Sequence, residues 1–163
     1  MARYRASIET RWTPEEAFAY LSDFSTSEEW DPGVVEAERV GVEAVGGGAV
    51  GGGPVGEGTE FRLVAEFLGH KTPLTYRVVE YELSTAVTFV GENATVVSHD
   101  RITFETTATG TRVTYDAELS LKGLLRLADP LLALAFTRVG DRALAGLGEV
   151  LAGPAHRAVD AAA

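Results

Sequence analysis

The stretch Trp12-Thr13-Pro14-Glu15-Glu16-Ala17-Phe18-Ala19-Tyr20-Leu21-Ser22-Asp23 decides how the chain is read. A capping threonine, a proline and two acids in succession form a helix start. The hydroxyl can accept from a free amide, proline suits the first helical position, and acids favour the first turn. Ala17, Phe18 and Leu21 mark the buried side of the short helix that follows. Upstream, Tyr4, Ala6 and Ile8 alternate with Arg3, Arg5, Ser7 and Glu9, the period-two pattern of a half-buried strand. Downstream, Ser22 to Trp30 reads as a second short helical segment, stopped by Asp31-Pro32-Gly33.

Strands fill the middle of the chain. Val34 to Val45 is a strand candidate that fades into a glycine-rich window, where nine of the 18 glycines fall between Gly41 and Gly58. Phe61, Leu63, Ala65 and Phe67 share one face, opposite Glu60, Arg62 and Glu66, and Gly69-His70-Lys71 reads as a turn. Leu74 to Tyr81, Val87 to Val90 and Ala94 to Glu105 follow as strands. Ala108-Thr109-Gly110 then turns the chain into Val113, Tyr115, Ala117 and Leu119. Such short connections imply antiparallel hairpins.

After Leu121 the apolar period changes from two to 3.6. Asp129-Pro130 repeats the cap-plus-proline signal and opens a helix of about six turns, running to Gly153. Leu132, Phe136, Val139, Ala143, Leu147 and Val150 fall on one side of it, and Arg138, Asp141, Arg142 and Glu149 on the other. The expected fold is α+β. It has one seven-stranded antiparallel sheet, two short helices after the first strand, and a long C-terminal helix covering the apolar face.

Composition narrows the function. A length of 163 residues suits one domain, placed at residues 1–153, with 154–163 expected to fray. Fourteen basic and 24 acidic residues give a net charge of −10, which argues against nucleic acid and anionic lipid as partners. Without cysteine there is no disulfide, thiolate zinc site or thiol nucleophile. Residues 1–10 lack the apolar core of a signal peptide. Leu124 to Val139 is broken by Arg126, Asp129, Pro130 and Arg138, so no integral membrane association is expected and a cytoplasmic location is assumed.

The order of elements resembles the helix-grip fold of the START/Bet v 1-like (SRPBCC) superfamily, and more narrowly the polyketide cyclase/dehydrase and lipid-transport family. The residues carrying the resemblance are Trp12-Thr13-Pro14, Ala17-Phe18, Tyr20-Leu21-Ser22-Asp23 and Trp30, with Tyr76-Arg77-Val78-Val79-Glu80-Tyr81 and Gly110-Thr111-Arg112-Val113-Thr114-Tyr115. The likeness implies a sheet wrapped around the long helix and a cavity between them. It implies no single chemistry: members bind lipids, hormones or polyketides, and some cyclise or dehydrate them.

Individual residues sharpen the expectation. Gly46-x-Gly48-x-x-Gly51 matches a dinucleotide loop only formally, because Gly52-Gly53-Pro54 and a strand follow where a helix is needed. The window reads as a long hairpin connection, a lid candidate, and no cofactor is expected. His70, His99 and His156 are scattered and form no metal-ligand spacing. Asp100 faces inward if Ile102 and Phe104 do, and His99 then faces out. The alternatives are a strand-end aspartate paired with Arg101 or solvent, or a bulge that reverses the faces. Glu80 shares parity with Leu74, Tyr76 and Val78, although Val79 and Tyr81 compete for the same face.

The ligand-contact candidates are Trp30, Phe61, Leu63, Tyr76, Phe89, Asp100, Phe104, Tyr115, Phe136 and Gly140. Asp100, Tyr76 and Tyr115 are also the catalytic candidates, since a buried hydroxyl needs a partner and a buried carboxyl shifts toward neutral pH. Ala133, Gly140 and Ala143 are small enough to leave volume under the helix. Leu131 and Leu134 project to its polar side and call for a cover: Ser22–Trp30, the glycine window, a second subunit of a homodimer, or a ligand at the portal. The leading expectation is a hydrophobic or aromatic small molecule, lipid or polyketide-like, bound in the cavity. The rivals are a polyketide cyclase/dehydratase using the carboxylate and tyrosines, and a surface-mediated interaction module with no ligand.

Overall fold

The computed structural model describes residues 1–41, 53–67 and 69–155. Most of the glycine window, with its dinucleotide-loop match and the lid read into it, lies outside the described residues, as does the tail from His156 to Ala163. The seven strands are β1 (Ala2–Thr10), β2 (Val34–Arg39), β3 (Glu60–Phe67), β4 (His70–Glu82), β5 (Ala86–Glu92), β6 (Val96–Thr106) and β7 (Thr111–Leu121). They form one sheet in the order β1-β7-β6-β5-β4-β3-β2, with every neighbouring pair antiparallel. The first strand therefore pairs with the last, and the other five follow as a meander. The helices are α1 (Pro14–Ser22), α2 (Ser27–Trp30) and α3 (Asp129–Ala152), with 3-10 turns at Phe24–Thr26 and Gly123–Ala128. This is the helix-grip arrangement.

The Thr13 signal forms a full capping box. The Glu16 amide donates to Thr13 Oγ1 at 3.2 Å, and the Thr13 amide donates to Glu16 Oε2 at 2.9 Å. The second signal behaves differently: Ala128 takes the cap position without a side-chain bond, and Asp129 sits inside the helix. Gly69-His70-Lys71 is not wholly a turn. His70 pairs with Phe67, and Gly69 adopts a φ of +77°, the left-handed geometry of a tight connection that leaves His70 and Lys71 in β4. Val34–Val45 is shorter than expected, since β2 ends at Arg39.

α3 is anchored at its C-terminal end. Thr10 Oγ1 donates to the Leu151 carbonyl at 2.7 Å, and Trp12 Nε1 donates to the Gly153 carbonyl at 2.9 Å. Leu147 and Leu151 are buried there, whereas Leu132 is the one buried residue in the first turns. Leu131 and Leu134 are 76% and 68% exposed, so Ser22–Trp30 does not cover them. The backbone of the helix comes closest to β1 and α2.

Two helical glycines separate close packing from helix propensity. A Cβ at Gly146 would overlap the Trp30 carbonyl oxygen, while one at Gly148 would meet only Ile8 Cδ1 at 3.8 Å. Alanine gains about 1 kcal/mol over glycine in a helix interior, and forced overlap costs about 1–3 kcal/mol. Chemical denaturation should therefore find Gly148→Ala stabilising by up to about 1 kcal/mol and Gly146→Ala destabilising. Equal effects would mean that α2 does not touch α3.

Candidate functional site

The sheet register builds the site as two adjacent rows. Tyr76, Gly91, Ser98 and Leu119 lie side by side across β4 to β7, and Val78, Phe89, Asp100 and Ala117 form the next row. Tyr115 lies opposite Ile102 and so diagonal to Asp100, within reach of a long side chain. Its hydroxyl donates to Asp100 Oδ1 at 3.0 Å, and Ser98 Oγ donates to Asp100 Oδ2 at 2.8 Å. Gly91 allows the arrangement, because a Cβ there would sit 2.5 Å from the Tyr76 ring, which lies across β5.

Tyr76, Ser98, Asp100, Tyr115 and Leu119 face a hollow of about 460 Å³ between the sheet and the first half of α3. Leu63, Leu74, Leu119 and Phe136 supply apolar wall, while exposed Leu131, Ala128 and Glu66 mark its rim. A smaller hollow of about 70 Å³ continues under α3, bordered by Tyr4, Trp30, Asp31, Asp100 and Gly140 among others. At Gly140 the Tyr4 ring takes the space a side chain would occupy, so glycine lets the ring pack against α3. Trp30 meets Tyr115 edge-on at 5.9 Å.

The aromatic candidates are divided between wall and support. Phe61, Phe89 and Phe104 border neither hollow and belong to a buried ring cluster. Phe24 stacks on Phe89 at 4.2 Å and meets Tyr76 edge-on at 5.0 Å, and Phe18 meets Phe104 at 5.3 Å. Glu80 is outside. A register shift between Val78 and Glu80 reverses parity, so Tyr81 turns in against Phe18 and Glu80 pairs with Arg101 at 3.0 Å and with Thr88. Arg101 and Thr88 hold Glu80 below the usual carboxylate range.

Electrostatics single out Asp100. It is 5% exposed, and His99 is exposed on the opposite face of β6. Burial pushes Asp100 up to about 6, partly offset by the Ser98 and Tyr115 hydroxyls, with Asp31 adding to the rise. Burial also raises Asp31, against the pull of the Gly33 amide on its side chain. Tyr76 and Tyr115 are driven well above the ordinary phenol value by burial first and by Asp100 next, so both remain hydrogen donors. Among the described residues no group of three or more histidines or carboxylates is placed to hold a metal ion.

Sequence reasoning overlooked Ser27, Asp31 and Ser98. Ser98 shares parity with Asp100 and was legible on that ground. Asp31 reads as a helix stop and Ser27 as an ordinary polar helix residue, with no sequence signal that either borders a hollow.

A curled antiparallel sheet gripping one long helix, with a polar cluster in an apolar hollow, defines the helix-grip class of folds. The chain belongs to the polyketide cyclase/dehydrase and lipid transport family, which it matches over residues 1–152. No curated protein matches it at the sequence level. Among solved structures it resembles TTHA0849 from Thermus thermophilus, at 20% identity and a TM-score of 0.71, covering 91% of this chain and 96% of that one. It also resembles a START superfamily protein from Mycobacterium smegmatis, at 12% identity and a TM-score of 0.70, covering 93% and 97%. The Zhui aromatase/cyclase from Streptomyces sp. R1128 is similar at 13% identity and a TM-score of 0.68, covering 98% and 96%. At these identities the likeness establishes the fold. Among the described residues no helix is long and apolar enough to cross a membrane.

The raised carboxyl has a consequence for stability. A folded-state value above the unfolded one means the native state holds the proton more tightly. This contribution is full below the unfolded value of 3.8 and is lost as pH rises through about 6. The loss is on the order of 2–3 kcal/mol. Asp100→Asn removes it, so the variant's melting temperature should gain on the wild type between about pH 4 and pH 7. A difference that stays constant over that range would show an ordinary, solvated carboxylate.

Proposed function

We propose that the protein binds a hydrophobic or aromatic small molecule, lipid-like or polyketide-like, in the hollow between the sheet and α3. The observation carrying this reading is the hollow itself. At about 460 Å³ it falls within the range of ligand pockets, and its wall is apolar apart from a small convergent polar cluster. Leu63, Tyr76, Asp100, Tyr115 and Phe136 would contact the ligand, and Trp30 and Gly140 would border its inner end. Phe61, Phe89 and Phe104 would support the wall from beneath. Residues 1–153 would act as one ligand-binding unit.

A second reading is favoured by one feature, the hydrogen-bonded pair of Asp100 and Tyr115. A carboxyl titrating at about 6 can exchange a proton near neutral pH, and a protonated phenol can polarise a carbonyl. Both groups on one wall of a shaped hollow would suit cyclisation or dehydration of a polyketide-like chain.

Native mass spectrometry of freshly purified protein, followed by thermal scans with neutral hydrophobes, tests both. Binding predicts a retained small molecule or a raised melting temperature. Ligand at a hundred times its Kd stabilises by about 2.7 kcal/mol. Asp100→Asn leaves that response intact if the protein only binds. If it is a cyclase, Asp100→Asn and Tyr115→Phe abolish turnover while binding survives. The absence of both a retained molecule and any thermal response would contradict both readings.

A further inference from the structure

Arg3, Arg62, Arg77, Arg101 and Arg112 are each held by a carboxylate. Arg138 and Arg142 are not. Both are exposed on α3, and neither has an ion pair or hydrogen bond among the described residues. Asp141, the acid beside them, accepts from the Tyr4 hydroxyl at 2.9 Å instead. Like charges four residues apart stand about 5–6 Å from one another at Cβ and weaken a helix slightly. The pair also sits in the middle of α3, where the helix dipole gives no compensation. In a chain with 24 acidic and 14 basic residues, two adjacent arginines without a carboxylate contribute nothing to the fold.

Their position suggests another use. Arg138 and Arg142 line a surface groove of about 450 Å³ beside the hollow. Gly33, Glu66, Phe67, Ala135 and Val139 border both spaces, so the groove continues the mouth of the hollow. Gly33 keeps the junction open, since a Cβ there would lie 3.9 Å from Val139 Cγ1 across it. Glu66 is the one acid on the groove among the described residues, and it stands opposite Lys71 in the β3–β4 register. The hollow itself is different. Asp31 and Asp100 border it, and no lysine, arginine or histidine does among the described residues.

We propose that the ligand is an amphiphilic anion, with its apolar chain in the hollow and its carboxylate or phosphate group in the groove on Arg138 and Arg142. The inference rests on the ligand-binding reading above and adds the polar end of the ligand and its direction of entry. Guanidinium groups present a fork of donors that matches the paired oxygens of either acid. They stay charged throughout the physiological pH range. The acid cannot enter first, because the wall of the hollow offers it two carboxyls and no cation. The chain therefore goes in and the acid stays at the rim.

Decanoate, decyl phosphate and decanol share one chain length and test this by displacing the neutral dye Nile red at about pH 7.5 and low ionic strength. At least one of the two acids should bind about fivefold or more tighter than decanol, the scale of two exposed charge contacts. Arg138→Gln with Arg142→Gln should remove that advantage and leave decanol within about twofold. Both side chains are exposed and unpaired, so this groove variant should fold. Arg5→Gln with Arg11→Gln changes the net charge equally at two exposed arginines outside the groove, and it should preserve the advantage.

If decanol binds and neither acid binds tighter, or if the advantage survives in the groove variant, the proposal is overturned while the hollow stands as a site for neutral ligands. An equal loss in the Arg5 and Arg11 variant would also overturn it, since net charge and not the groove would then be responsible. If decanol, both acids and Nile red all fail to bind, the ligand-binding reading itself falls, and the proposal with it.

Discussion

One helix is too narrow for this sheet. Seven strands at about 4.8 Å spacing span about 29 Å, whereas a helix with its side chains is about 10–12 Å across. The sheet must therefore curl and find other cover, or leave space. Both happen here. The ring cluster around Phe24, Phe61 and Phe89, capped by α1, seals one end. The C-terminal turns of α3 close down on β1 and α2, held by Thr10 and Trp12. What remains uncovered is the sheet beneath the first turns of α3, and there the hollow lies. The anchoring at one end of the helix and the opening at the other are parts of one packing solution.

The polar cluster follows from where that space falls. Asp100 stands on a central strand, two rows of side chains converge on it, and the hydroxyls of Ser98 and Tyr115 satisfy its oxygens. Water that would solvate such a group on the surface is largely displaced by apolar wall, which is why its proton is held more firmly. A carboxyl kept in this way costs stability at neutral pH. Features that cost stability in a core are common where a ligand or a reaction uses them.

The fold was legible because its signals are local. Alternation in β1 and β7, the Thr13 capping box and the change of period after Leu121 each depend on neighbours in sequence. The inward face of Asp100 was open to parity reasoning, since the register of β6 with β5 and β7 runs without a shift. The same reasoning could not settle Glu80, because the shift after Val78 is set by pairing with β5. Nor could it divide the aromatics between wall and core. Phe61 and Phe89 carry the same pattern as Leu63 and Tyr76, and their place in the ring cluster is set by long-range packing. Asp31, Ser27 and the touch of Gly146 on Trp30 depend on how α2 meets α3, a long-range contact with no local trace.

Asp100 is a carboxyl buried on the wall of an apolar hollow. The most direct measurement is a pH titration of the Asp100 side-chain carbonyl carbon by NMR in the ligand-free protein. A midpoint at about 6 is expected. A midpoint in the ordinary aspartate range, at about 4, would mean a hydrated carboxyl, and it would contradict the buried polar cluster on which the site depends.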